Sequence, residues 1–125
     1  MSIKVTATAL AVAIGAGAAY ALAQDAQTAP TKVVTKTLVK SEAQKECFTL
    51  VNAQVLYYRF RSDVPLDFKL SHQDEKEIVD IARKNVGDAA GNYVSKKTSD
   101  YCLVWTNTGE QSATLHYEFQ RASLQ

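Results

Sequence analysis

Tyr101-Cys102-Leu103-Val104-Trp105-Thr106-Asn107 is the stretch that decides the fold. A polar run from Ser95 to Asp100 precedes it and Asn107-Thr108-Gly109 closes it, so it reads as one extended segment between turn signals. Successive side chains of a strand point to opposite faces. Tyr101, Leu103 and Trp105 therefore share one face, and Cys102, Val104 and Thr106 share the other.

Other segments fall into the same two-residue period. Upstream, Leu66–Ser71 (LDFKLS) alternates strictly, with Leu66, Phe68 and Leu70 on one side. Gln54–Arg61 (QVLYYRFR) sets Leu56, Tyr58 and Phe60 against Tyr57, Arg59 and Arg61. Glu46–Val51 places Phe48 and Leu50 opposite Cys47, Thr49 and Val51. Asn52-Ala53 between these two strands reads as a hairpin turn, because Asn tolerates a left-handed backbone. Lys32–Lys40 (KVVTKTLVK) is β-branched and alternating, a first strand. Downstream, Ser112–Gln120 (SATLHYEFQ) aligns Leu115, Tyr117 and Phe119 and turns His116 and Glu118 away from them.

The remaining segments are read as connections or weaker strands. Ser62-Asp63-Val64-Pro65 is expected to be a turn and His72–Lys76 (HQDEK) a polar loop. Glu77–Val86 (EIVDIARKNV) is read as a strand with a short helix as the alternative, since Ile78, Ile81 and Ala82 also lie at helical spacing. Gly87–Gly91 is expected to break the chain before a short strand, Asn92–Lys97. Seven to eight short strands joined by turns describe an all-β fold, an antiparallel β-sandwich of jelly-roll-like type, over residues 32–121. No internal repeat or second domain is visible.

The chain has 125 residues, 46% apolar and 22% charged, the composition of one globular domain. Residues 1–23 read as a secretory signal peptide. Lys4 is its single charge, Val5–Ala19 is rich in Ala and Val and uncharged, and Ala21-Leu22-Ala23 offers small residues for cleavage after Ala23. An uncleaved membrane anchor is the competing reading of this stretch; Gly15, Gly17 and the Ala-x-Ala favour cleavage. Residues 24–31 read as a flexible tail with little to bury. Cleavage removes Lys4 alone and leaves equal numbers of acidic and basic side chains. A neutral mature chain carries no electrostatic footprint for nucleic acid or for an anionic membrane surface. Export to a periplasmic or secreted location follows, without stable membrane insertion.

Two cysteines in an exported chain of this size imply one disulfide, because the compartment oxidises. Cys47 and Cys102 each lie on the face opposite their strand's large apolar residues. If the two strands are neighbours, both thiols share an outer face and can bridge. Absence of a Cys-x-x-Cys leaves a thioredoxin-type role without support.

The Cys47-Phe48 pair, the Tyr101-to-Asn107 strand with its internal cysteine, Asp67-Phe68-Lys69-Leu70 and the closing Tyr117-Glu118-Phe119 together resemble a GOLD domain. That domain is the lumenal β-sandwich of cargo receptors of the early secretory pathway. In the family the second cysteine usually lies two residues later, so Cys102 implies a bridge in a shifted register. The resemblance spans roughly residues 45–120 and implies the sandwich and a tendency to bind protein. Cargo receptors continue into a coiled coil, a membrane helix and a tail, whereas this chain ends at Gln125, so trafficking is not among the expectations. The small Ala-rich signal points to a bacterial, periplasmic relative.

Three sets of residues offer chemistry. His116 and Glu118, joined by His72, Asp74 and Glu75, have the atoms for zinc, but two ligands on one strand do not make a site. No metal and no cofactor is expected. The sequence has no Gly-x-Ser-x-Gly turn, and Asp74-Glu75 lies in polar surroundings that would not raise a carboxyl pKa, so no catalytic residue is assigned. Tyr57, Arg59 and Arg61 share the outward face of one strand, and Tyr with Arg is what binding hot spots are made of. The expectation is a non-enzymatic module that binds another envelope protein, as accessory subunit or adaptor. A periplasmic carbohydrate- or lipid-binding protein is the alternative. Val33–Val39 offers a free sheet edge for a partner strand. The sequence leaves the oligomeric state open.

Overall fold

A computed structural model describes residues 31–123, and the signal peptide and nearly all of the N-terminal tail read from the sequence lie outside them. Six strands account for the described chain: β1 Lys32–Leu38, β2 Ala43–Leu50, β3 Gln54–Asp74, β4 Lys76–Val94, β5 Ser99–Thr106 and β6 Ala113–Ser123. All pairings are antiparallel. The strands form one sheet in the order β1-β6-β3-β5-β2, and β4 lies along the other side of β3.

Two strands are much longer than the sequence reading expects, and they explain why there are six rather than seven or eight. β3 runs straight through the expected turn at Ser62–Pro65 and through the expected loop at His72–Lys76, of which only Glu75 remains outside a strand. Ser62–Pro65 is a corner within a strand. Its four residues stand opposite the single residue Gly87 of β4. Pro65 has no N–H to give to a ladder and fits where the ladder is interrupted. Ser62 Oγ donates to the Val64 carbonyl at 2.6 Å, and Asp63 Oδ1 accepts the Thr114 N–H at 2.8 Å, which pins the corner to the start of β6.

The corner divides β3 between two layers. Before it, Gln54–Ser62 pairs with β6; after it, Asp67–His72 pairs with β5. The sheet therefore folds over itself. One layer holds β1, β6 and the first half of β3; the other holds β2, β5 and the second half. β4 follows β3 through both. The result is a β-sandwich whose layers are halves of one sheet.

β4 settles Glu77–Val86 as strand, and the expected break at Gly87–Gly91 is also strand. Its helical spacing is a consequence of irregular pairing. The register with β3 shifts between Leu70 and Ser71, and again between Leu66 and Phe68, so period two is lost along this segment. Gly91 is a strand residue for a packing reason: a Cβ there would lie 2.9 Å from the Tyr58 hydroxyl directly across the ladder. The hairpin turn at Asn52-Ala53 is present, but Ala53, not Asn52, has the left-handed backbone, with φ of 70°.

Between the layers lies the core the alternation predicts. Leu50, Leu56, Phe60, Leu66, Phe68, Leu70, Tyr101, Leu103, Trp105, Leu115, Tyr117 and Phe119 are buried, with Phe48 and Tyr58 packed against them. Aromatic rings join the layers: Phe48 stacks on Phe119 at 5.0 Å and Trp105 on Tyr117 at 4.2 Å between centroids. Asn107 is fully buried. Its amide donates to the carbonyls of Leu38 and Gln111, and its carbonyl accepts the Gly109 N–H, so one side chain ties the β5–β6 connection to the end of β1.

Cys47 and Cys102 are directly opposed across β2 and β5 and form a disulfide on the outer face, with Cα atoms 4.1 Å apart. It encloses a sequence separation of 55 residues. Cys102→Ser should lower unfolding free energy by about 4 kcal/mol in chemical denaturation, the loop-entropy value for a closed loop of this order. Asn107→Asp should cost about 3 kcal/mol in the same assay, because at a fully buried position it replaces the donor to the Leu38 and Gln111 carbonyls by a further acceptor.

Candidate binding face

The outward-facing residues of β3 expected to form a binding face are brought together with residues from three other strands. One rung reads Val33, Glu118, Arg59 and Ala90 across β1, β6, β3 and β4. The next reads Thr35, His116, Arg61 and Asp88. A groove of about 420 Å³ lies over these two rungs. A smaller hollow of about 110 Å³ continues past Arg59 and Glu118 to Tyr57 and Gln120. Tyr57, Arg59 and Arg61 therefore do form one surface. Tyr57 retains 45% of its accessible area and Val33 68%, which makes them the apolar landmarks of the face.

The polar groups of the groove are unequally engaged. Arg59 Nε meets Glu118 Oε2 at 3.2 Å, an exposed pair of small energetic value. His116 Nδ1 and Thr35 Oγ1 are 3.0 Å apart. Arg61 and Asp88 face each other in register, yet among the described residues neither forms an ion pair or a side-chain hydrogen bond. The groove thus offers one uncommitted guanidinium and one uncommitted carboxylate on a nearly neutral floor.

Behind the groove the layers are clamped by a polar contact. The Tyr117 hydroxyl donates to Glu46 Oε1 at 2.7 Å and accepts from Gln44 Nε2 at 2.9 Å, while Lys32 Nζ lies 2.8 Å from Glu46 Oε2. Burial, followed by the hydrogen bond to the Glu46 carboxylate, pushes the Tyr117 pKa up to about 12.

His72 is not in a loop and does not meet His116. It is buried at the end of the second layer, where its Nδ1 lies 2.7 Å from Asp80 Oδ2. Tyr93 donates to the other Asp80 oxygen at 3.0 Å, and the Tyr101 ring packs on the imidazole at 4.9 Å. Burial first, then Asp80, raises the Tyr93 pKa. Asp74 instead pairs with Lys97 at 3.1 Å, and Glu75 makes the tight β3–β4 turn with φ of 65°. The His72, Asp74, Glu75, His116 and Glu118 set considered for zinc is dispersed, and no three His, Cys, Asp or Glu side chains converge among the described residues.

The sequence reading missed Asp80, Asp88, Ala90 and the place of Val33. Asp80 lies where the pairing of β4 is irregular and the face of each residue is hidden, and Asp88 lies in Gly87–Gly91, which reads as a break and not as strand. No protein-family model matches the sequence, and no curated protein matches it.

A tyrosine whose folded pKa is raised holds its proton more tightly folded than unfolded. Its contribution is complete below the unfolded pKa of 10.0 and is lost as pH rises through about 12. Stability should therefore fall across that interval. Tyr117→Phe should show a shallower fall when denaturation midpoints are followed over the same range.

Proposed function

We propose that this is a non-enzymatic, exported GOLD-like module that binds another protein of the cell envelope through the outer face of the β1-β6-β3-β4 layer. The observation that carries this reading is the convergence of Tyr57, Arg59 and Arg61 with Val33, His116 and Asp88 around one open groove. An exposed aromatic ring and a guanidinium free of partners among the described residues resemble the anchors of protein interfaces. Arg61 supplies a bidentate donor for a partner carboxylate, and Asp88 beside it accepts from a partner cation. The shallow, open groove suits a segment of protein surface more than an enclosed small molecule. The Cys47–Cys102 disulfide is compatible with an oxidising, exported location, as the secretory reading of residues 1–23 requires.

In-cell crosslinking of the tagged, exported chain followed by affinity purification should enrich one dominant envelope protein. Arg61→Ala and Tyr57→Ala should each weaken that complex on the order of tenfold or more, the range of interface anchors. Both side chains are exposed, so folding stability should change by no more than about 0.5 kcal/mol. Saturable binding of a glycan or lipid abolished by Tyr57→Ala, with no enriched protein, would replace this reading with small-ligand binding.

A further inference from the structure

We propose that the chain forms a two-fold symmetric dimer by antiparallel pairing of the second half of β4 with the same segment of a second copy. β4 pairs only with β3, so the opposite edge of this 19-residue strand has no strand partner among the described residues. A free edge presents a row of backbone donors and acceptors, and the group that satisfies such a row is another strand.

The free edges differ in how they are guarded. β1 carries Lys32 and Lys36, and β2 carries Lys45 and Glu46. The first half of β4 carries Lys76, Glu77, Asp80, Arg83 and Lys84, and its pairing with β3 is broken by register shifts. Charges and bulges of this kind protect an edge. The second half is only weakly guarded. Asp88–Val94 pairs with Arg61–Val55 without a shift, and Val86–Val94 reads VGDAAGNYV, with Asp88 as its single charge. Its small residues leave the backbone open to approach, and Val94 keeps 45% of its area exposed.

This segment is complementary to itself. With the two-fold axis at Ala90, Asp88 faces Asn92 of the second copy and Gly87 faces Tyr93. No like charges oppose, and a carboxylate meets an amide donor twice. An aromatic ring facing a glycine across a ladder already occurs within the chain at Tyr58 and Gly91. From Asp88 to Asn92, where β4 alternates without a break, paired residues keep the same sheet face, because the spacing between partners about Ala90 is even. The pairing joins two layers into one eight-stranded sheet and closes after two copies. Asp88 and Ala90 also line the groove, so two grooves would meet at the axis.

Sedimentation equilibrium of the full chain, purified after export, should show a concentration-dependent monomer–dimer equilibrium. Ala90 is exposed. Ala90→Lys therefore keeps the fold, checked by circular dichroism, and should weaken the dimer on the order of tenfold or more by opposing two ammonium groups at the axis. Ala90→Cys should form an intermolecular disulfide on non-reducing gels, because opposed residues of antiparallel strands lie within bridging distance. Thr35→Cys on the β1 edge should not. A monomer at every concentration would overturn the proposal. So would a dimer unaffected by Ala90→Lys, or one trapped through Thr35→Cys in place of Ala90→Cys. These readouts need no ligand, so they stand or fall separately from the binding function.

Discussion

The corner at Ser62–Pro65 is the constraint on which the rest of the structure depends. It lets one strand serve two layers, with β6 beside its first half and β5 beside its second. Without a break in the ladder the sheet would continue flat, and the apolar faces of β2 and β5 would have nothing to cover them. With it, Phe48 reaches Phe119 and Trp105 reaches Tyr117. The four corner residues are held by local bonds of Ser62 and by the Asp63 link to Thr114, so the bend is specified by side chains as well as by Pro65.

Folding a single sheet leaves its long hairpin strand as a shared margin. β4 follows β3 through both layers but contributes no fully buried residue, and its inward side chains are only partly buried against the core. The margin therefore carries both the polar cluster of Asp80 with His72 and Tyr93 and the weakly guarded VGDAAGNYV segment. Irregular pairing in the first half and regular pairing in the second give the two halves different chemical characters on one strand. The disulfide, by contrast, lies on the outer face of the other layer and joins the edge strand β2 to its neighbour β5.

The binding face shows the same division of labour. Tyr57, Arg59 and Arg61 are outward by alternation alone, and the structure places them outward. Their neighbours are set by register: Glu118 engages Arg59, while Arg61 is left facing Asp88 without a bond. Which guanidinium remains available to a partner is thus decided by pairing between strands. The alternation of QVLYYRFR says only that both are exposed.

Local chemistry by itself determined which side of each regular strand enters the core, because period-two burial is a property of the single strand. It determined the position of the cysteines on outer faces for the same reason. Strand ends were less legible: turn-rich Ser62–Pro65 and Gly87–Gly91 look like breaks, yet both lie within continuous strands. The reason is that a bulge and a turn use the same residues, Pro, Gly, Asp and Ser, and only pairing on either side tells them apart. Tertiary structure alone decided that β4 is strand throughout, that Cys47 lies opposite Cys102, that His72 meets Asp80, and that Val33, His116 and Asp88 gather around Arg61. Each of these depends on which strands are neighbours and in what register, and register is fixed by the packed sheet as a whole.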